Sequence, residues 1–200
     1  MNIDTAKTLL TRRHFASALT TLSGLVLEDP LDAEAWVLLG TCYTETGHHK
    51  QAIAALMRAV ILDEDGPATC EALGCAWLRR DNEEEAKRWF HRGLASDPTD
   101  RERASILRNL SMALYRESRL EAARFLLEET IAIEPYDVLA LHALAALYMN
   151  GGRHEEAREL LNRLLSVPRL PAWLRETSEE RLALIGEEAL SESLDSRPIG

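Results

Sequence analysis

Residues 36–43 read WVLLGTCY, and this order of residue types returns twice more along the chain. Residues 70–77 read CEALGCAW, and residues 141–148 read LHALAALY. In each stretch the fourth residue is leucine, the fifth is glycine or alanine, and the eighth is aromatic. A pattern that returns at a fixed interval indicates a structure built from repeated units.

A row of alanines gives the interval of the repeat. The five alanines are Ala18, Ala52, Ala86, Ala123 and Ala157, and successive members are 34, 34, 37 and 34 residues apart. A large apolar residue follows four positions after each alanine: Leu22, Leu56, Phe90, Leu127 and Leu161. In three of the five units a proline stands twelve positions after the alanine, at Pro30, Pro98 and Pro135.

These residue types suit pairs of closely packed helices. Small residues such as Gly40 and Gly74 allow two helices to cross at a short distance. The leucine and aromatic rows supply apolar surface that one helical pair cannot bury alone, so neighbouring pairs must stack. Proline ends the second helix of a pair, whereas Gly47, Gly151 and Gly152 mark turns between paired helices.

Over residues 2–169 the sequence resembles the tetratricopeptide repeat family, whose pattern is W-x2-L-G-x2-Y, then A-x3-F, then P, with a period of 34. The first unit departs from it, with Thr5, Ala6 and Leu9 at the leucine, glycine and tyrosine positions. The resemblance implies an all-α fold, a right-handed superhelical α-solenoid of antiparallel helix pairs. It predicts five hairpins, then a capping helix and a disordered tail, at 1–31, 32–65, 66–99, 100–136, 137–169, 170–190 and 191–200.

Apolar spacing places the individual helices. The first helices of the pairs are predicted at 3–12, 32–46, 66–80, 100–117 and 137–150, and the second helices at 15–28, 49–62, 83–96, 120–133 and 153–166. The additional residues of the 37-residue interval fall within 98–104, where they lengthen the loop or the start of the next helix. The terminal helix is expected to cover the open face of the last pair with Trp173, Leu174, Leu182 and Ile185.

The resemblance also implies a site, because first helices of this family line a concave groove that holds an extended peptide or a helix. The signature residues pack inward, so the residues between them face the groove. The candidate partner-binding residues selected in this way are Leu78, Arg79, Arg108, Asn109, Met112, Tyr115, Arg116, His142 and Met149.

Three arginines on this predicted surface are notable in a chain with a net charge of -10. Arg79, Arg108 and Arg116 can bind carboxylates bidentately, and the neighbouring methionines offer adaptable apolar contacts. We therefore expect a protein or peptide partner with acidic and apolar side chains near repeats 3 to 5. The alternative is that the arginines pair with Glu71, Glu117 or other nearby acids and only solvate the groove.

Some members of the family grip a free C-terminal carboxylate with a Lys/Asn/Arg clamp spread over three first helices. The corresponding groove positions of the first two units differ from that combination, since they hold Ile3, Asp4, Lys7, Val37, Leu38 and Thr41. A chaperone-cochaperone role through this clamp is disfavoured.

Composition and motifs exclude several other classes. The acidic net charge argues against nucleic-acid binding, and no apolar run reaches the roughly 20 residues that span a bilayer. The N-terminus has no secretory pattern, and Cys42, Cys70 and Cys75 show no paired spacing, so we expect a cytoplasmic protein without disulfides. The excess of arginine over lysine is typical of a GC-rich bacterial genome.

We expect neither catalysis nor a bound cofactor or metal. The sequence has no HExxH, no GxSxG, no phosphate-binding glycine loop and no dinucleotide fingerprint. A metal site needs three or four convergent ligands, and the only adjacent histidines are His48 and His49. His49 and His154 are predicted to be half-buried packing residues at turns.

These observations predict a non-enzymatic scaffold or adaptor that binds a peptide or helix of another protein. One alternative is a secretion chaperone that holds an apolar client segment, similar to the type III translocator chaperones. Another is a regulatory module of a separately encoded enzyme. Self-association is also open, because a concave face can receive the terminal helix of a second copy.

Overall fold

The computed structural model describes residues 2–63 and 66–195, which form eleven helices and no strand. In chain order they are α1 Ile3–Thr11, α2 Phe15–Glu28, α3 Ala33–Glu45, α4 His49–Asp63, α5 Pro67–Leu78, α6 Glu83–Ala95, α7 Asp100–Arg116, α8 Leu120–Ile133, α9 Val138–Asn150, α10 His154–Leu165 and α11 Ala172–Asp195. The ten repeat helices agree with the predicted bounds to within two residues at either end, and the all-α prediction is confirmed.

Side-chain caps explain where many helices begin. An N-cap side chain accepts a hydrogen bond from a backbone N–H that has no partner within the helix. Asp32 accepts in this way from the Ala35 N–H at 2.9 Å, and Thr99 forms a reciprocal capping box with Glu102. The other side-chain N-caps are Asn2, Asn82 and Asp137.

A left-handed residue reverses the chain after each first helix. These residues are Arg13, Gly47, Asp81, Ser118 and Gly152, with φ between 54° and 79°. At the second turn the Gly47 N–H donates to the Thr44 carbonyl at 3.2 Å, and the His48 N–H donates to the Tyr43 carbonyl at 2.8 Å. This bonding pattern is the Schellman motif that ends helices. Of the predicted turn glycines, Gly151 has a φ of -92° and only Gly152 is left-handed there.

The chain divides into two compact units, Met1–Arg119 and Leu120–Gly200. In the first unit α1 packs against α2, α3 against α4 and α5 against α6, while α7 packs on α5 and α6. In the second unit α9 packs against α8 and α10, and α11 packs on α10. The boundary falls between α7 and α8, so the pairing of these two helices in a fourth hairpin at 100–136 stays a prediction.

Helix α7 takes up the additional residues of the long interval. It has 17 residues, whereas the corresponding helices α3, α5 and α9 have 12 or 13. The additional length lies at its start, where Thr99 and Glu102 cap a helix that begins directly after Pro98. Of the two predicted possibilities, the longer helix is the one observed.

The cores of the first-unit hairpins depend on small residues that face large ones. A Cβ atom placed on Gly40 would lie 2.8 Å from Leu56 Cδ2, and one placed on Gly74 would lie 2.5 Å from Phe90 Cδ1. Both Leu56 and Phe90 are completely buried. The predicted close crossing of paired helices is therefore confirmed at these two positions.

The terminal helix α11 covers the core of the second unit. Leu174 and Ile185 are buried in a cluster with residues of α9 and α10, and Leu182 packs against that cluster. Trp173 is instead 55% exposed, contrary to its predicted packing role. Helix α11 continues to Asp195, beyond the predicted end at 190, because the sequence has no helix-breaking residue between Gly186 and Pro198. The rest of the predicted tail, 196–200, lies outside the described residues.

None of the helices in the described ranges combines the length and hydropathy that crossing a bilayer requires.

Replacement of Gly74 by alanine is expected to destabilise the first unit. The added methyl group overpacks the Phe90 ring at a cost of about 1–3 kcal/mol, which exceeds the gain of about 1 kcal/mol in helix propensity. Urea unfolding measures the difference. Gly186→Ala on α11 is the matched control, since nothing lies within 4 Å of the added Cβ, and it is expected to be neutral or stabilising. A Gly74→Ala chain as stable as the wild type would contradict the close crossing.

Replacement of Ser118 by glycine is expected to stabilise the chain by about 1 kcal/mol, because glycine adopts left-handed φ without the penalty that serine carries. The observed φ at Ser118 is 59°. The expected rise in Tm is about 2–4 °C, measured by circular dichroism. The control is Gly47→Ala, which introduces the same penalty at the equivalent turn and should lower Tm.

Candidate functional site

The α5–α7 face is the part of the predicted groove that lies in the first unit. We define it by the side chains that lie between the inward-packing rows of these two adjacent helices: Glu71, Cys75, Arg79, Ser105, Arg108, Asn109, Met112 and Tyr115. It contains five of the candidate residues, and Leu78, Arg116, His142 and Met149 are treated separately below.

A hydrogen-bonded carboxylate joins the two helices at the centre of this face. Glu71 Oε1 accepts from Ser105 Oγ at 2.5 Å and from Asn109 Nδ2 at 2.8 Å. Arg108 donates to Ser105 Oγ at 3.1 Å and adds a positive charge near the carboxylate. Asn109 therefore takes part in a hydrogen bond between the two helices.

Burial is the main influence on the pKa values of Glu71 and Cys75 on α5. It raises the pKa of the Glu71 carboxyl, against the opposing effects of Ser105 and Arg108. Burial also raises the pKa of the Cys75 thiol to about 12, helped by the nearby Glu71 charge. The thiolate is the reactive form of cysteine, so the raised pKa disfavours reaction at Cys75.

The three candidate arginines of the first unit have different environments. Arg116 donates to the Leu78 carbonyl at 2.8 Å and to Asp81 at 3.0 Å, so it fastens the end of α5. Arg79 is mainly exposed and lies 3.7 Å from Glu45. Such a long surface pair contributes little, so Arg79 can exchange Glu45 for another carboxylate.

Acidic pairing, the alternative considered for these arginines, is observed for Arg116 with Asp81 and Glu83 and, at longer distance, for Arg79 with Glu45. Glu117, which was considered as a partner, forms its ion pair with Lys87 at 2.5 Å.

The apolar candidates of the first unit also differ in accessibility. Leu78 is buried and contributes to the core. Met112 is 52% exposed and Tyr115 is 50% exposed, one helical turn apart on α7. These two side chains are available to a partner, and they lie on the same side of α7 as Arg108.

The two candidates of the second unit lie on α9. Met149 is half-buried and packs against the core beneath α11. The His142 ring meets Trp173 of α11 edge-on, with 5.9 Å between ring centroids. Burial and the positive charge of Arg181 lower the pKa of His142. Sequence reasoning overlooked Arg181, because α11 lies outside the repeats and its packing register is not fixed by the 34-residue period.

Among the residues that the structure describes, no group of three His, Cys, Asp or Glu side chains could hold a metal ion. His49 and His154 are half-buried, as predicted for packing residues at turns.

Paired antiparallel helices joined by Schellman turns and packed through small residues define a helical repeat protein. A tetratricopeptide repeat model matches residues 3–67, and a second tetratricopeptide repeat model matches residues 114–174. The two matches together cover more than half of the sequence. The chain therefore belongs to the tetratricopeptide repeat family.

Several solved structures share this fold. TTC0263, a thermophilic tetratricopeptide repeat protein of Thermus thermophilus, matches with a TM-score of 0.79 and 19% identity, over 90% of this chain and 97% of that chain. MamA matches with a TM-score of 0.64 and 23% identity, over 92% of this chain and 98% of that chain. YrrB, described as a tetratricopeptide repeat protein with an unusual peptide-binding site, matches with a TM-score of 0.59 and 17% identity, over 89% and 90%. No curated protein matches the sequence.

Replacement of Glu71 by glutamine tests the buried carboxylate. Folding raises the Glu71 pKa above its ordinary value of 4.5, so the folded state binds the proton more tightly than the unfolded state. The stability that Glu71 contributes is complete below that ordinary pKa and is lost as pH rises through the folded pKa. Glutamine keeps the acceptor oxygen for Ser105 and Asn109 without the charge.

The free energy of unfolding, measured in urea from about pH 4 to about pH 8, should therefore fall for the wild type relative to Glu71→Gln as pH increases. Glu176→Gln, which changes an exposed carboxylate on α11, is the control. A constant difference between wild type and Glu71→Gln would contradict the effect of burial.

Proposed function

We propose that this protein is a non-enzymatic scaffold or adaptor that binds a peptide or helix of another protein on the α5–α7 face. The observation that carries the proposal is the exposure of Met112 and Tyr115 on α7, next to the hydrogen-bonded centre of the face. A large apolar side chain that remains half exposed beside ordered polar groups is typical of a protein-binding surface.

The chemistry of the face favours a ligand with both apolar and acidic side chains. Methionine adapts its shape to different apolar groups, and tyrosine adds a large ring with a polar hydroxyl. Arg79 supplies an exposed guanidinium whose present contact with Glu45 is long, at 3.7 Å. A ligand carboxylate could replace Glu45 with better geometry, since guanidinium and carboxylate form two parallel hydrogen bonds.

The fold likeness to YrrB supports a peptide ligand, because that protein is described as having a peptide-binding site. The word unusual in that description applies to the site of YrrB, and no unusual feature is assigned to this chain. Membership of the family supports the non-enzymatic part of the proposal.

A client chaperone is the second candidate, and the apolar character of Met112 and Tyr115 favours it. The two functions differ in what happens to the partner. A client of a chaperone is insoluble when it is produced alone and soluble when it is produced together with this chain. A partner of an adaptor is soluble in both cases.

The test uses a partner captured by the wild-type chain from a native lysate of the encoding organism, then identified and purified. Met112→Lys and Tyr115→Ala should each weaken binding by at least about tenfold in calorimetry, because central contacts of an interface are worth about 2 kcal/mol or more. Met57→Lys is the matched control, since Met57 is 38% exposed on the second helix α4.

Equal losses for Met57→Lys and Met112→Lys would place the interface elsewhere. Unchanged affinity for both α7 variants would exclude the α5–α7 face. Charge reversal of Arg108 and Arg116 would be a less specific test of binding. Arg116 also holds the end of α5 through the Leu78 carbonyl, so its replacement would disturb the fold as well.

A further inference from the structure

The second unit contains a half-buried guanidinium that has no carboxylate partner. Arg181, in the middle of α11, donates one hydrogen bond, to the His142 carbonyl oxygen of α9 at 3.4 Å. Among the side chains that the structure describes, which exclude those of 188–195, no aspartate or glutamate forms an ion pair with it, and burial is the one cause that lowers its pKa. At 3.4 Å the single hydrogen bond is long for an N–H donor to oxygen.

Other arginines of the second unit are paired. Arg124 contacts Glu121 at 2.7 Å, Arg153 contacts Glu156 at 2.9 Å, and Arg158 contacts Glu155 at 2.7 Å. Among the described side chains Arg181 has no such carboxylate, although it is half-buried like Arg124 and Arg158.

An unpaired guanidinium in this position is costly. Arginine stays protonated in proteins, so it cannot avoid the cost of burial by losing its charge. Burial lowers the pKa of Arg181, which is the direction expected for a cation without compensation. Buried charges in proteins are normally paired and hydrogen-bonded. A carboxylate at Arg181 would offset the cost of this partial burial.

The neighbouring His142 shows no sign of an acidic group either. His142 Nδ1 is buried and has no hydrogen-bond partner among the described residues. Burial and Arg181 both lower the His142 pKa, so the imidazole is neutral at pH 7 and does not compete with Arg181 for an anion. No acidic group contributes to the titration of His142.

Exposed apolar side chains flank this position. Trp173 lies two helical turns before Arg181 on the same side of α11, and its ring contacts His142. Leu139 lies one turn before His142 on α9 and is 46% exposed. A cation without a carboxylate partner therefore lies next to apolar surface, within one unit of the chain.

We propose that Arg181, His142, Trp173 and Leu139 form a receptor for an aspartate or glutamate side chain of a partner peptide, flanked by an apolar residue. We call these four residues the Arg181 site. The carboxylate accepts from the Arg181 guanidinium, which has donors to spare, and the neighbouring apolar residue packs on Trp173 and Leu139. The inference rests on the proposed peptide-binding function and adds a second contact for an acidic side chain, on the terminal helix, to the one proposed at Arg79.

Charge favours a carboxylate over a phosphate group here. Helix α11 carries exposed acidic residues at Glu176, Glu179 and Glu180, and the whole chain has a net charge of -10. A dianionic phosphate is repelled by this field more strongly than a monoanionic carboxylate. An apolar flank also suits a peptide more than a free inorganic anion.

The test measures binding of synthetic peptides to the full chain by fluorescence polarisation. The probes are acetylated and amidated heptapeptides with a central glutamate or aspartate, flanked by leucine, phenylalanine or serine. We expect the peptides with apolar flanks to bind, and their glutamine or asparagine counterparts to bind about tenfold more weakly, as expected for loss of a charge-assisted hydrogen bond.

Variants of α11 identify the residue that receives the acid. Arg181→Gln should lose about tenfold in affinity for the acidic peptides and nothing for their neutral counterparts. Arg181→Lys should lose part of the affinity, because lysine keeps the charge but not the bidentate geometry. Arg175→Gln, an exposed position on the same helix, should bind like the wild type. Thermal unfolding should show no loss of stability for Arg181→Gln, since it removes an unpaired charge.

His142 provides an independent readout by proton NMR. A bound carboxylate offsets the Arg181 charge and should raise the His142 pKa in the wild type. In Arg181→Gln the His142 pKa should already be higher, and the peptide should not change it further.

Several results would overturn the inference. They are equal binding by wild type and Arg181→Gln, equal binding of acidic and neutral peptides, no binding by any peptide of the set, and an equal His142 shift produced by inorganic phosphate alone. A partner that needs Met112 and Tyr115 but binds Arg181→Gln normally would retain the proposed function and reject the Arg181 site. A partner that binds Met112→Lys, Tyr115→Ala and Arg181→Gln as tightly as the wild type would reject both the proposed function and the Arg181 site.

Discussion

The close approach of paired helices is the constraint on which the rest of the structure depends. Gly40 and Gly74 have no side chain because Leu56 and Phe90 occupy that space. The depth at which these large residues enter fixes the distance between the helices of each pair. That distance decides which residues of α3 and α5 point inward, and therefore which residues remain for the surface. The position of Glu71 and Arg79 on the α5–α7 face is a consequence of packing on the opposite side of the same helix.

The sequence predicts the helices well because the signals for their ends are local. Proline, glycine and cap residues such as Asp32 and Thr99 affect the backbone only within a few residues of their own position. The left-handed turns at Arg13, Asp81 and Ser118 were not predicted, because nothing in those side chains demands positive φ. There the two hydrogen bonds of the Schellman turn impose the backbone angle and offset the penalty. Glycine marks such a turn in a sequence, but the turn does not require glycine.

The candidate site was predicted less completely, because its properties depend on residues far apart in sequence. Helical spacing correctly leaves Met112 and Tyr115 exposed, since exposure follows from the packing of their own helix. It cannot tell that Arg116 fastens the Leu78 carbonyl, 38 residues earlier, whereas Arg79 has only a long contact. Arginine is a long side chain with five donors, and its partner is chosen by whatever lies within reach after folding. Arg181 was missed for the same reason, since its lack of a partner is a property of the assembled unit.

Polar contacts between successive first helices contribute little to the fold but much to the character of the surface. The Lys7–Glu34 pair at 2.6 Å and the Glu45–Arg79 pair at 3.7 Å are both largely exposed, and pairs of this kind are worth at most about 1 kcal/mol. The buried rows supply far more, because burial of one leucine side chain contributes about 1.5–3 kcal/mol. Surface pairs can therefore be exchanged for contacts with a ligand at small cost, while the helices stay in place. Glu71 differs from these pairs, because it is partly buried and its hydrogen bonds to Ser105 and Asn109 join α5 to α7. If the proposed ligand binds this face, a rigid polar centre surrounded by exchangeable charges and adaptable apolar side chains would give it both a fixed register and tolerance in sequence.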